Sequence, residues 1–271
     1  MADFTLDTGG ARLSGEEAGE GVAVVGLHGL TATRRYVVMG SRALERGGHR
    51  VVLYDARGHG HSGPAPSSDA YGYDDLADDL LAVLDDRGIE RAVLAGASMG
   101  AHTLTRFALE HPERAAGLVV ATPAFDPDGS PGLERWDRLS AGLRAGGVDG
   151  FVDAYGDLPV PERFKDTVAR VLRQRLSAHE HPEAVADALR AVPRSRPFEA
   201  WDDLQALAGI PVVVVASRDE ADPEHPYATG ERWAEAIPDA ELVSEEPGAS
   251  PLAWQGGQLS QVIAGVAERV G

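Results

Sequence analysis

Short runs of Val, Leu, Ile and Ala alternate along the chain with segments whose apolar positions recur every three to four residues. Strands buried on both faces require uninterrupted apolar runs, and the helical period supplies the layers that cover them. The pattern therefore predicts a mostly parallel sheet flanked by helices. Strands are expected at Val22–Leu27, Arg50–Asp55, Arg91–Ala97, Gly117–Ala121 and Pro211–Ala216, with a weaker one at Ala240–Val243. Helices are expected near Arg34–Gly47, Tyr73–Arg87, Met99–His111, Gly230–Ile237 and Leu259–Val270. Within Tyr73–Arg87, Leu76, Leu80, Leu81 and Leu84 form one stripe, and Asp74, Asp75, Asp78, Asp79, Asp85 and Asp86 fall mostly on the wet side. Phe4–Leu6 and Ala11–Leu13, joined through Gly9-Gly10, read as an antiparallel hairpin at the sheet edge.

The alternation lapses between Thr122 and Leu207. Helical patterns at Leu133–Arg144, Gly150–Tyr155, Arg163–Leu176 and Pro182–Val192 follow one another there with no buried strand between them. It resumes at Pro211. The expected organisation is a core of residues 1–121 and 208–271 with a helical cap, residues 122–207, inserted in it.

Composition narrows the chemistry. The 271 residues carry 25 Lys and Arg against 43 Asp and Glu, a net charge of −18, which opposes binding to nucleic-acid phosphates. No apolar run approaches the roughly 18 residues of a membrane span. The N-terminal residues show neither a basic flank nor an apolar stretch of signal type, so a cytoplasmic protein is expected. With no Cys there is no thiolate nucleophile and no Cys-ligated zinc. His179-Glu180-His181 sets two histidines at i and i+2, which do not share a helix face, so no metal site is expected. No dinucleotide or phosphate-loop motif follows a strand, so the expected partner is a small-molecule substrate and the expected cofactor is none. The oligomeric state is open.

The strongest motif is Gly96-Ala97-Ser98-Met99-Gly100, between a predicted strand and a predicted helix. A sharp strand–turn–helix bend lifts the serine hydroxyl clear of the backbone, and glycines on either side permit the close approach this needs. The N-terminus of the following helix points at the bend, where an oxyanion would form.

With this element, with His28-Gly29-Leu30-Thr31 after an earlier strand, and with Asp55-Ala56-Arg57-Gly58-His59-Gly60-His61-Ser62 after the next, the chain resembles the α/β-hydrolase fold superfamily over essentially its whole length. The resemblance implies a serine-nucleophile branch with a helical cap. It makes Ser98 the nucleophile and the N–H groups of Leu30 and Met99 the oxyanion hole. Serine at the elbow argues against the branches that need a carboxylate nucleophile. The family's acid commonly lies a few residues past a late strand with a proline four residues later. Asp219 with Pro223 matches, Asp222 is the fallback, and Asp126 is a weaker choice. These acids otherwise cap the helix beginning near Pro226.

The base is missing from its usual place. The family sets its histidine in the loop after the final strand, but here that loop reads Glu246-Pro247-Gly248-Ala249-Ser250-Pro251-Leu252-Ala253-Trp254, with Ser250 where the histidine would stand. No histidine follows His225. Three readings remain open: His225 is the base, folding back from six residues past Asp219; one of His28, His59, His61 or His102 serves, with His61 the best placed; or no base exists. His49, His111, His179 and His181 read as surface or helix-end residues. In the cap, Trp136, Leu139, Leu143, Phe151, Tyr155, Phe164, Val171, Leu172, Phe198 and Trp201 divide between a small core and a pocket lining, and Arg194 and Arg196 read as solvated or acid-paired.

The expected function is a cofactor-free serine hydrolase of esters, with thioesters and lactones as neighbouring classes, whose substrate has an apolar acyl or ring portion. Ser98, Asp219 and His225 would be catalytic. The alternative is a hydrolase-fold protein without a base, acting as a ligand-binding module or as a non-hydrolytic, lyase- or isomerase-like catalyst.

Overall fold

Each apolar run becomes a strand whose neighbouring residues serve opposite layers. In the computed structural model, which describes residues 1–157, 160–249, 254 and 256–271, the strands are β1 (Ala2–Asp7), β2 (Arg12–Ala18), β3 (Val22–Leu27), β4 (His49–Asp55), β5 (Ala92–Ala97), β6 (Ala115–Ala121), β7 (Val212–Val215) and β8 (Glu241–Val243). They form one sheet in the order β1-β2-β4-β3-β5-β6-β7-β8. The β1–β2 and β2–β4 pairs are antiparallel and every other pair is parallel. Val25, Leu27 and Leu94 face a core shared with Leu80, Leu84, Leu104, Phe107 and Trp233. Val24, Val93 and Val119 face the opposite core with Leu44, Ile263 and Val266. A strand buried on both sides has no polar side to show, hence the unbroken apolar runs.

The helices are α1 (Ala43–Arg46), α2 (Tyr73–Asp86), α3 (Met99–Glu110), α4 (Leu133–Tyr155), α5 (Glu162–Leu176), α6 (Pro182–Ala191), α7 (Tyr227–Ala236) and α8 (Gly257–Glu268). The helix expected over Arg34–Gly47 shrinks to a single turn at Arg34–Tyr36 and to α1, because the chain reverses through left-handed Met39 (φ 48°) and Gly40 (φ 73°). The wet face of α2 holds one exception. Asp79 is buried and takes two hydrogen bonds from Arg57, at 2.7 and 2.9 Å, and one from Thr8 at 2.8 Å.

Between β6 and β7 the chain runs through α4, α5 and α6. α4 folds back on itself where Gly146 and Gly147 leave helical geometry, and its two arms nearly touch: a Cβ on Gly142 would meet the Gly150 carbonyl oxygen at 2.4 Å. Leu139, Leu143, Phe151 and Leu176 pack with Val185 and Leu189 of α6, flanked by Trp136, Tyr155 and Leu172. Phe198 and Trp201, expected in this segment's core or pocket, join Phe125 and Trp233 in the main core instead. Among the described residues no helix is long and apolar enough to cross a membrane.

Candidate active site

All parallel strands end at one edge of the sheet, and three of those ends are strained. Thr31 after β3 (φ 67°), Ser98 after β5 (φ 52°, ψ −116°) and Thr122 after β6 (φ 43°) are non-glycine residues at positive φ. Such strain persists only where the surroundings over-determine it. At Ser98 they do. Its N–H donates to the Ala121 carbonyl at 3.0 Å while α3 starts at the next residue. A Cβ on Gly96 would sit 2.4 Å from the Gly100 carbonyl group, and one on Gly100 would sit 2.3 Å from the Leu27 carbonyl oxygen. The glycines flanking the serine are therefore sterically required.

The loop after β3 lies against this bend. A Cβ on Gly29 would fall 3.4 Å from the Ser98 Cβ, and the Ala32 N–H closes a turn on the Gly29 carbonyl at 3.0 Å. Among the described residues neither the Leu30 N–H nor the Met99 N–H is engaged by a protein acceptor. Met99 follows Ser98 directly, and Leu30 follows Gly29, which lies against the Ser98 side chain; unengaged N–H groups on the two segments flanking a serine are what an oxyanion hole needs.

Beneath the elbow the histidines are held neutral. His102, one turn along α3 from Ser98, accepts the N–H groups of Ala124 (3.0 Å) and Phe125 (3.2 Å) at Nε2, so Nδ1 carries the proton and faces the Tyr73 hydroxyl at 2.9 Å. Burial, with a smaller contribution from nearby His225, lowers its pKa to about 3. His28 accepts the Ala56 N–H at Nε2 (2.9 Å), and burial lowers it likewise to about 3. Burial also depresses His59 strongly. His179, expected at the surface, instead bridges two loops. It accepts the Gly60 N–H at Nδ1 (2.8 Å) and donates from Nε2 to the Thr31 carbonyl (2.9 Å). His61 points outward to an exposed Glu180 at 2.7 Å. These residues are structural or remote.

His225 differs. It is half-buried, and its Nδ1 donates to Asp222, whose two carboxylate oxygens both lie at 2.8 Å. Among the described residues its Nε2 has no protein partner. The loop that carries it leaves β7 two strands from Ser98, a lateral offset of about 10 Å that six to ten residues span easily. Burial alone would raise Asp222, but the His225 charge, its hydrogen bond and the Arg175 charge outweigh burial and hold the carboxyl below its usual range.

The acid facing His225 is thus Asp222, and Asp219 is turned elsewhere. Asp219 accepts the Ala221 N–H at 2.8 Å, and burial together with Asp222, Glu245 and Glu220 raises its pKa. The Asp222 N–H closes a turn on the Asp219 carbonyl (3.0 Å), and three residues further on His225 meets the Asp222 carboxylate. The i, i+3 spacing of Asp222 and His225 was the available signal. Ser250 and the rest of 250–253 lie outside the described residues, so the usual position of the base is not described.

The segment from β6 to β7 grips this loop. Arg135 of α4 makes a two-pronged ion pair with Glu224 (2.6 and 2.5 Å), Tyr155 donates to the same carboxylate at 3.0 Å, and Arg163 of α5 pairs with Glu220. Leu30 packs against both the α6–Met99 contact and the core of that segment. Arg194 and Arg196 are paired with Asp137 and Glu199. Among the described residues no group of His, Asp and Glu is set to hold a metal ion.

These features are shared with known proteins. The family model described as alpha/beta hydrolase fold matches residues 22–253. The chain belongs to that family. It is 29% identical over 243 residues to the non-heme chloroperoxidase CPO-A1 of Kitasatospora aureofaciens, covering 86% of each chain. Its structure is similar to that of a thermophilic esterase from Thermogutta terrifontis (TM-score 0.81, 26% identity, 100% of this chain and 99% of that one). It also shares its fold with the enol-lactonase from Burkholderia xenovorans LB400 (TM-score 0.74, 23% identity, 95% and 97%). This company supports hydrolase-type activity on a small molecule.

Proposed function

We propose that the protein is a serine hydrolase of carboxylic esters, with thioesters and lactones as related substrates, and that residues 122–207 cap its active site. The observation that carries this reading is the strained Ser98 at the β5–α3 bend, against which the Gly29-Leu30 loop packs. In this scheme Ser98 Oγ attacks the acyl carbon while His225 Nε2 takes its proton. Asp222 fixes the ring through Nδ1–H and offsets the charge that develops on it. The Leu30 and Met99 N–H groups hold the oxyanion, and the protonated His225 then delivers its proton to the leaving alcohol. Water, activated by the same histidine, releases the acid. No cofactor takes part, and the assignment replaces Asp219 with Asp222 as the acid.

A second reading keeps the fold without hydrolysis, as a ligand-binding module or a non-hydrolytic catalyst. It is favoured by one observation: among the described residues the Ser98 hydroxyl has no hydrogen bond to His225. Apo sites often close such bonds only with substrate present, so the hydrolase reading is preferred.

A fluorophosphonate probe separates the two. Stoichiometric labelling that disappears in Ser98→Ala, with ester turnover lost in His225→Ala, is the result expected of the hydrolase. A folded protein that never labels between pH 6 and 9 would be the non-hydrolytic one.

A further inference from the structure

Arg175, near the end of α5, reaches the loop that follows β3. Its Nη2 donates to the Leu30 carbonyl at 3.0 Å. A residue's own N and O lie roughly 3–4 Å apart, so the guanidinium is within about 7 Å of the Leu30 N–H. The Asp222 charge acts on it as well, and its own charge helps to hold the Asp222 carboxyl low. The Tyr36 ring lies 5.7 Å from its central carbon.

The side chain is poorly compensated. Its Nε is closed to solvent and has no hydrogen-bond partner among the described residues. Among the described residues no carboxylate forms an ion pair with it, although Arg135, Arg144, Arg163, Arg173, Arg190 and Arg194 of the same segment each have one. Arg138 and Arg170 of the same segment also lack one, but both are exposed, whereas Arg175 is largely covered. An enclosed cation with a spare donor is costly unless something supplies the opposite charge. The planar guanidinium edge matches a carboxylate.

We propose that Arg175 binds a carboxylate carried by the substrate, so that the preferred substrates are monoesters of short dicarboxylic acids, or lactones that bear a free carboxylate. The catalytic part of this proposal rests on the serine-hydrolase reading; the binding part does not. The acyl carbon lies over the Leu30 and Met99 N–H groups and the second carboxylate over Arg175, a span that suits an acid of about four or five carbons.

The test compares monoethyl succinate and monoethyl glutarate with the neutral ethyl butyrate in a pH-stat assay, and measures binding of monoethyl succinate to Ser98→Ala by calorimetry. Wild-type protein should favour the charged esters at least tenfold in kcat/KM, and Arg175→Gln should lower that ratio at least tenfold, mainly through KM. Calorimetry should show binding to Ser98→Ala that weakens at least tenfold when Arg175→Gln is added. If Arg175→Gln does not fold, the wild-type preference and the calorimetry of Ser98→Ala decide alone. Equal rates on charged and neutral esters, or an equal fall for both in Arg175→Gln, would overturn the proposal and leave Arg175 as a support for the Leu30 loop. Arginine-dependent binding without turnover of any ester would uphold the carboxylate site and reject the hydrolase.

Discussion

Asp222 and His225 are three residues apart and face each other through Nδ1, with both carboxylate oxygens at 2.8 Å. The acid and the candidate base therefore share one turn after β7. Asp222→Asn should lower kcat about 10³-fold by removing the charge that orients the imidazole and stabilises its cation. Asp219→Asn should lower it less than tenfold, since Asp219 caps a backbone N–H. Steady-state kinetics on the two variants decides between the acids.

The close approach at the elbow makes a second prediction. Gly29→Ala places a methyl group 3.3 Å from the Ala97 carbonyl oxygen and 3.4 Å from the Ser98 Cβ, a tight fit that a shift of a few tenths of an ångström relieves, so the variant should fold and lose activity moderately, about tenfold. Gly100→Ala drives a methyl group to 2.3 Å from the Leu27 carbonyl oxygen, and one side must move. A cost of about 1–3 kcal/mol, seen as a Tm several degrees lower by calorimetry, is expected. Equal stability in the two variants would contradict the geometry.

Buried neutral histidines predict the response to acid. His28 and His102 are lowered to about 3, and His59 and His179 are lowered too, burial being the largest cause in each. A histidine with a folded pKa below its unfolded value stabilises the fold fully above about pH 6.5, and that stability is lost as pH falls toward the folded pKa. By pH 5, His28 and His102 should each have forfeited about 2 kcal/mol. Urea unfolding at pH 7.5, 6 and 5 should give steadily falling midpoints, before most carboxylates titrate. A flat profile would count against it.

The grip on the catalytic loop is open to a double-mutant cycle. Arg135→Met and Glu224→Gln should each slow ester turnover severalfold, and together should do no more than one alone, a coupling of about 1 kcal/mol. Additive effects would mean that the ion pair does not position His225.

Much of this was legible beforehand for physical reasons. Two-sided burial writes strands as unbroken apolar runs, so β3 through β7 were predictable, and the elbow was marked by glycines that its crowding demands. Asp79 was misplaced because helical periodicity cannot foresee a partner such as Arg57, which arrives from another part of the chain. His179 was misplaced for the same reason: its two backbone partners, Gly60 and Thr31, are more than a hundred residues away. Arg175 carried no signal at all, because its significance lies in the partner it lacks.

Leu30 joins these parts mechanically. Its side chain packs into the core of the β6–β7 segment, its carbonyl holds Arg175, and its N–H follows Gly29, which lies against the Ser98 side chain. Repacking Phe151 or Leu176 would therefore be transmitted through one residue to the proposed oxyanion donor. In the proposed mechanism, directed evolution of the β6–β7 segment has a short route to the rate of bond cleavage as well as to the choice of ligand.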